Sequence, residues 1–129
     1  MNWPVLADVM WITAGAAVGA NMRYAVNRLA LHHLSASVPY GTLIVNITGS
    51  LILGFFLVWT SERVFADPRW RLLIAVGFCG AYTTYSSYSF ETFTMIEQGH
   101  YGMATVNFVA NNLLCLAGVV AGAALARSF

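Results

Sequence analysis

Long apolar runs separated by short polar segments divide the chain into four stretches. The first runs from Val9 to Leu31, with Asn21, Arg23, Asn27 and Arg28 interrupting its second half. His32-His33 and Ser35-Ala36-Ser37 then form a polar break before Pro39, which needs no amide donor in a first helical turn and opens the second stretch, 39–60. Glu62-Arg63, Asp67-Pro68-Arg69 and Arg71 hold the densest charge and mark an aqueous connection. The third stretch, 70–97, ends at the turn signal Gln98-Gly99-His100, and the fourth, 103–126, precedes Arg127-Ser128-Phe129. A bilayer crossing needs about 20 mostly apolar residues, which each stretch supplies. The pattern predicts an all-α integral membrane protein, a single domain over residues 1–129, with four transmembrane helices and both termini on one side.

Composition sharpens this. Hydrophobic residues make up 59% of the 129 and charged residues 9%, with a mean hydropathy of +0.69. Soluble domains carry about 25% charged residues, so no soluble domain fits beside the four spans. The six basic residues are all arginine, scattered, and set against five acids, which excludes nucleic acid and other polyanions as partners. No basic stretch precedes the first apolar run and no small-residue cleavage pattern ends it, so a removable signal peptide is not expected. Cys79 and Cys115 both fall in apolar stretches and give no disulfide framework. Arg63, Arg69, Arg71 and Arg127 lie on the side of the termini, Arg23 and Arg28 on the other. The positive-inside rule then places both termini in the cytoplasm, but on so few charges that a mixed orientation stays open.

Polar groups recur where lipid should be. From Tyr82 to Thr92 only Phe90 lacks a polar side-chain group, and nine of these residues carry hydroxyls. Such side chains in mid-span either bond their own helix or line a hydrated path, because hydrocarbon offers no partner. Gly77 and Gly80 just ahead of the run predict a third helix interrupted near its middle, with freed backbone groups able to coordinate an ion. On the fourth span Asn107, Asn111 and Cys115 step by four along one face, with Asn112 beside them; on the second, Thr42, Asn46 and Ser50 do the same, while Thr48 lies on another face. Interhelical hydrogen bonding and a pore lining both account for these stripes. Small residues four apart, Gly15/Gly19, Ser50/Gly54 and Gly118/Gly122, predict close helix packing. Four helices bury little polar surface alone, so a second copy is expected to complete the structure.

Arg23 and Glu91 are the ionisable residues placed deepest, either snorkelling to an interface or pairing with each other. Apart from Glu91 the polar run is hydroxyls and amides, whose donors suit an anion. Tyr85 and Tyr88, three apart, either present positive ring edges to that anion or belong to an interfacial belt. His32, His33 and His100 stand at span ends with no further ligands, and no serine near Glu91 has a histidine or lysine at helical spacing, so no enzyme is expected.

Three motifs, Gly15 to Arg23-Tyr24, Pro39-Tyr40-Gly41-Thr42-Leu43-Ile44-Val45-Asn46 with Gly49-Ser50, and Gly77-Phe78-Cys79-Gly80 through Thr83-Thr84 to Glu91, resemble the small bacterial fluoride channels called Fluc or CrcB-type. The resemblance spans the chain. It implies an antiparallel, dual-topology homodimer in the bacterial inner membrane, with two pathways that export fluoride passively and protect the cell from its toxicity. It also implies a structural sodium ion at the dimer axis, held by main-chain carbonyls of Gly80 and Thr83. Arg23 matches the vestibule arginine, Thr42 a nearby hydroxyl, Asn46 an asparagine that orients the aromatic pair, Thr84 and Ser87 the polar track, and Glu91 an acid that follows it. Asn107, Asn111 and Cys115 match polar positions of the last span. Relatives carry phenylalanine where this chain has Tyr85 and Tyr88, and serine at Cys115. A proton-coupled multidrug transporter, with Glu91 as its one candidate proton carrier, and a non-transporting scaffold are the competing readings.

Overall fold

The computed structural model describes residues 3–35, 37–62 and 67–129; Arg63, used in the charge count above, lies outside them. The helices are α1 (Trp3–His33), α2 (Tyr40–Ser61), α3 (Pro68–Trp70), a π-helical stretch (Arg71–Cys79), α4 (Gly80–Tyr82), α5 (Tyr85–Glu97) and α6 (Tyr101–Arg127). Three of them, α1, α2 and α6, are long and apolar enough to cross a bilayer by themselves. The remaining crossing, third in chain order, is assembled in two halves, from Pro68 to Tyr82 and from Tyr85 to Glu97.

Local chemistry explains the ends. Pro39 sits just outside α2 as its cap rather than inside its first turn. Asp67 caps α3 by accepting a hydrogen bond from the Arg69 amide at 2.9 Å, ahead of Pro68. At the far end of α5, Gly99 adopts φ 76°, a left-handed conformation that favours glycine. It allows its own amide to bond the Ile96 carbonyl at 3.0 Å and the His100 amide to bond the Met95 carbonyl at 2.8 Å, the paired reverse bonds of a Schellman end.

Glycines set the helix separations. A Cβ on Gly15 would strike the Leu73 carbonyl oxygen and one on Gly19 that of Phe78, while one on Gly77 would lie 3.1 Å from the Gly15 Cα. α1 therefore lies backbone to backbone against the π-helical stretch. On the other side of the bundle, a Cβ on Gly54 would strike the Val119 carbonyl, and one on Gly122 the Leu51 carbonyl, with the Phe55 nitrogen at 2.7 Å. This locks α2 to α6, as the small-residue spacing predicts. The third crossing is interrupted near its middle, as expected, at Thr83-Thr84; Gly77 and Gly80, just ahead of the break, are themselves helical. Gly77 serves packing instead.

Gly122→Val should destabilise the detergent-solubilised protein by about 1–3 kcal/mol, the usual cost of overpacking. Gly102→Ala, where an added Cβ meets nothing within 4 Å, should be neutral or slightly stabilising. Thermal unfolding of the two variants checks the contrast.

Candidate functional site

The site grows from the interruption. Thr83 takes φ −81° and ψ 159° and Thr84 φ −150° and ψ 110°, so the chain runs extended for two residues between the helix halves. Thr83 closes the upstream half twice, its amide donating to the Cys79 carbonyl at 3.0 Å and its hydroxyl to the same oxygen at 2.9 Å. The Thr84 hydroxyl opens the downstream half by accepting from the Ser87 amide at 3.2 Å. The Thr84 main chain remains, buried and outside any helical ladder.

Asn46 of α2 satisfies both of its groups. The Thr84 amide donates to Asn46 Oδ1 at 2.7 Å, and Asn46 Nδ2 donates to the Thr84 carbonyl at 3.1 Å. One side-chain amide thus stands in for the missing backbone neighbour. Because the Thr84 N–H can only donate, the orientation of the Asn46 amide is fixed. The order then propagates: Asn46 Nδ2 donates to Asn111 Oδ1 at 3.1 Å, Asn111 Nδ2 to Asn107 Oδ1 at 3.0 Å, and Asn107 Nδ2 to the Thr92 hydroxyl at 2.9 Å. Thr92 returns the chain to α5 by donating to the Tyr88 carbonyl at 2.8 Å.

Two clefts flank the first turns of α5. The larger, about 530 Å³, is lined by Thr42, Ser87, Glu91 and neighbouring residues of α1 and α2. In it Thr42 donates to Glu91 Oε1 at 2.5 Å, and Glu91 Oε2 is buried with no partner among the described residues. The smaller, about 260 Å³, is lined by Asn46, Thr83, Tyr85, Tyr88, Asn111 and Cys115. The two tyrosine rings meet edge-on, with centroids 5.2 Å apart and planes at 66°. Tyr88 is 4% exposed and Tyr85 74%. The positive end of the α5 dipole lies between the clefts, a polarity that favours an anion there.

A family model described as CrcB-like protein, Camphor Resistance (CrcB), matches residues 10–123. The chain belongs to the CrcB family. It is 52% identical over 123 residues to the fluoride-specific ion channel FluC of Koribacter versatilis, covering 95% of this chain and 98% of that one. FluC proteins of Sulfurihydrogenibium and Coxiella burnetii are 43% and 42% identical, covering 90% and 93% of this chain and 94% and 98% of theirs. With its apolar helices, this CrcB-family chain is a multi-pass membrane protein. Neither the multidrug-transporter nor the scaffold reading finds support among these relatives.

Most of the residues singled out from the CrcB sequence motifs converge. Asn46, Thr84, Asn107 and Asn111 form the buried network; Thr42, Ser87 and Glu91 share the larger cleft; Tyr85, Tyr88 and Cys115 share the smaller. Arg23 and Glu91 do not pair: Arg23 Nη1 reaches the Thr83 carbonyl at 3.5 Å, and Glu91 holds Thr42. The bonds of Asn46 run to Thr84 and Asn111 rather than to either ring. Spacing alone missed two partners. Asn112, one residue off the stripe, donates to the Tyr88 hydroxyl at 3.0 Å, and Thr48, on the other face of α2, lies 3.0 Å from the Tyr82 hydroxyl. In each case the signal was an unmatched polar group at mid-span.

Replacing Asn46 with leucine leaves the Thr84 N–H and C=O buried without partners, a loss of about 1–3 kcal/mol for each group. Amide hydrogen exchange at Thr84 should accelerate sharply in that variant, while exchange in the centre of α6 changes far less.

Proposed function

We propose that this protein is a passive, fluoride-selective channel that carries fluoride out of the cytoplasm down its electrochemical gradient. The observation that carries the proposal is a pair of clefts on either side of α5, lined mainly by neutral hydrogen-bonding groups and backed by the directed asparagine network. A bare anion is expensive to bring out of water, so donors must replace its hydration step by step. Hydroxyls and ring edges attract it without the fixed charge that would trap it, which suits conduction. Arg23, half-buried at the break, raises the local potential for anions. A membrane potential is worth about 2.3 kcal/mol per elementary charge per 100 mV, enough to drive export without ATP.

The working unit is an antiparallel homodimer in the bacterial cytoplasmic membrane, with one pathway from each half. Its support lies on the outer face of the third crossing: Tyr85 and Ser86 are exposed, and a Cβ on Gly80 would meet nothing within 4 Å. Lipid cannot satisfy such polar groups, whereas a second copy can. The same face bears on the sodium ion. The Thr84 amide, which would bond the Gly80 carbonyl in an unbroken helix, goes to Asn46, and among the described residues the Thr83 carbonyl has only the long contact to Arg23. Unwound carbonyls of this kind fit a monovalent cation, so Gly80 and Thr83 would hold it through their main-chain oxygens, where it supplies positive charge between the two copies.

Fluoride efflux from liposomes, with potassium and valinomycin setting the voltage and chloride-loaded vesicles as control, tests the function. Rapid, voltage-driven flux selective for fluoride is the expected result; a folded protein that passes no fluoride would sink the proposal. Tyr85→Phe with Tyr88→Phe should raise throughput or change halide preference, by removing phenol donors that slow release. Unchanged flux and preference in the double variant would show that the hydroxyls play no part.

A further inference from the structure

The Tyr88 phenol is buried beside the smaller cleft, and its bonding leaves one proton unused. Asn112 Nδ2 lies 2.8 Å from the Phe108 carbonyl of its own helix and 3.0 Å from the Tyr88 hydroxyl oxygen. A carbonyl only accepts, so the amide atom facing Phe108 is the nitrogen and the group cannot be turned over. That nitrogen carries two hydrogens and no lone pair to offer. The phenol oxygen is therefore the acceptor, and its own hydrogen has no acceptor among the described residues. Tyr88 and Asn112 both line the cleft of about 260 Å³.

We propose that Asn112 is a positioning residue that keeps the Tyr88 hydroxyl a donor to the anion in the smaller cleft, which makes Tyr88 a specificity-determining side chain. This rests on the channel reading above. An O–H donated to an anion is shorter and stronger than the contact a ring edge makes. The bond received from Asn112 polarises the phenol further in the same direction. Fluoride, the smallest and most basic halide, gains most from such a donor. The chain then binds fluoride more tightly in this cleft than a phenylalanine version, and releases it more slowly.

The test uses the full-length protein in proteoliposomes, comparing the fluoride concentration that half-saturates flux in the unmodified protein, Tyr88→Phe, Asn112→Leu and the double variant. Each single change should raise that concentration about tenfold, the scale of one bond to a charged partner. The double variant should match Tyr88→Phe alone. An Asn112→Leu effect of the same size in both backgrounds would reduce Asn112 to a packing role and overturn the proposal. A second readout does not depend on transport or on Asn112→Leu folding. Ultraviolet resonance Raman reports whether a phenol donates or accepts, and with six tyrosines in the chain the difference from Tyr88→Phe isolates Tyr88. Adding fluoride, but not chloride, should move that signal toward a donating phenol; no movement overturns the proposal. If the signal moves while the unmodified protein passes no fluoride, the anion site stands and the channel reading fails.

Discussion

A transmembrane helix that unwinds in mid-bilayer exposes main-chain groups for which hydrocarbon has no partner, at several kcal/mol for each group left unsatisfied. Here the whole of that demand at Thr84 falls on one side chain. Asn46 both accepts from the Thr84 amide and donates to its carbonyl. Few replacements can do this: ionised aspartate has no donor, serine offers one hydrogen at shorter reach, and leucine has neither donor nor acceptor. The bridge also fixes the height of α2 against the third crossing. That height is available because glycines let α2 approach α6 and let α1 approach the π-helical stretch, each at backbone contact.

From this one bridge follows a direction. An amide group can be turned over unless a neighbour is donor-only or acceptor-only, and the Thr84 N–H is donor-only. It orients Asn46, Asn46 orients Asn111, and the order passes through Asn107 to Thr92 and back to α5. Bonds aligned in this way polarise one another in a low-dielectric interior. The network holds α2, α5 and α6 in register around the two clefts.

The four crossings were legible in the sequence because apolar length is a local property, and the stripes on α2 and α6 because helical spacing is fixed. The residues that open the third crossing near its middle were not. Gly77 and Gly80 are the residues with the weakest helix preference, yet they remain helical, while Thr83 and Thr84 depart from the helix where Asn46, more than thirty positions upstream, receives the Thr84 backbone. Whether a helix opens in a membrane depends on where the partner is, and that is a tertiary fact. The same limit applies to Tyr85 and Tyr88. Spacing of three puts them on one side of α5, but the edge of the protomer runs between them, so one is buried and the other faces outward. Arg23 and Glu91 are the two charges expected deepest, and each instead meets a nearer neutral partner.

Counting protons separates the groups that build the pathway from those that face it. Asn46 directs its amide hydrogens to Thr84 and Asn111, and Asn111 directs its own to Asn107. The Thr42 hydroxyl gives its proton to Glu91, and the Thr84 hydroxyl gives its proton to Ser87. A group whose hydrogens are already bonded gains little from an approaching anion, because each new bond must break an old one. The asparagine stripes, which look like a lining when read by spacing, are mainly a frame. The hydroxyl hydrogens of Ser87, in the larger cleft, and of Tyr85 and Tyr88, in the smaller, have no acceptor among the described residues. All three stand in the first turn of α5, where the helix dipole is positive. In the channel proposed above, an anion would meet these donors at that turn, whose backbone Asn46 holds.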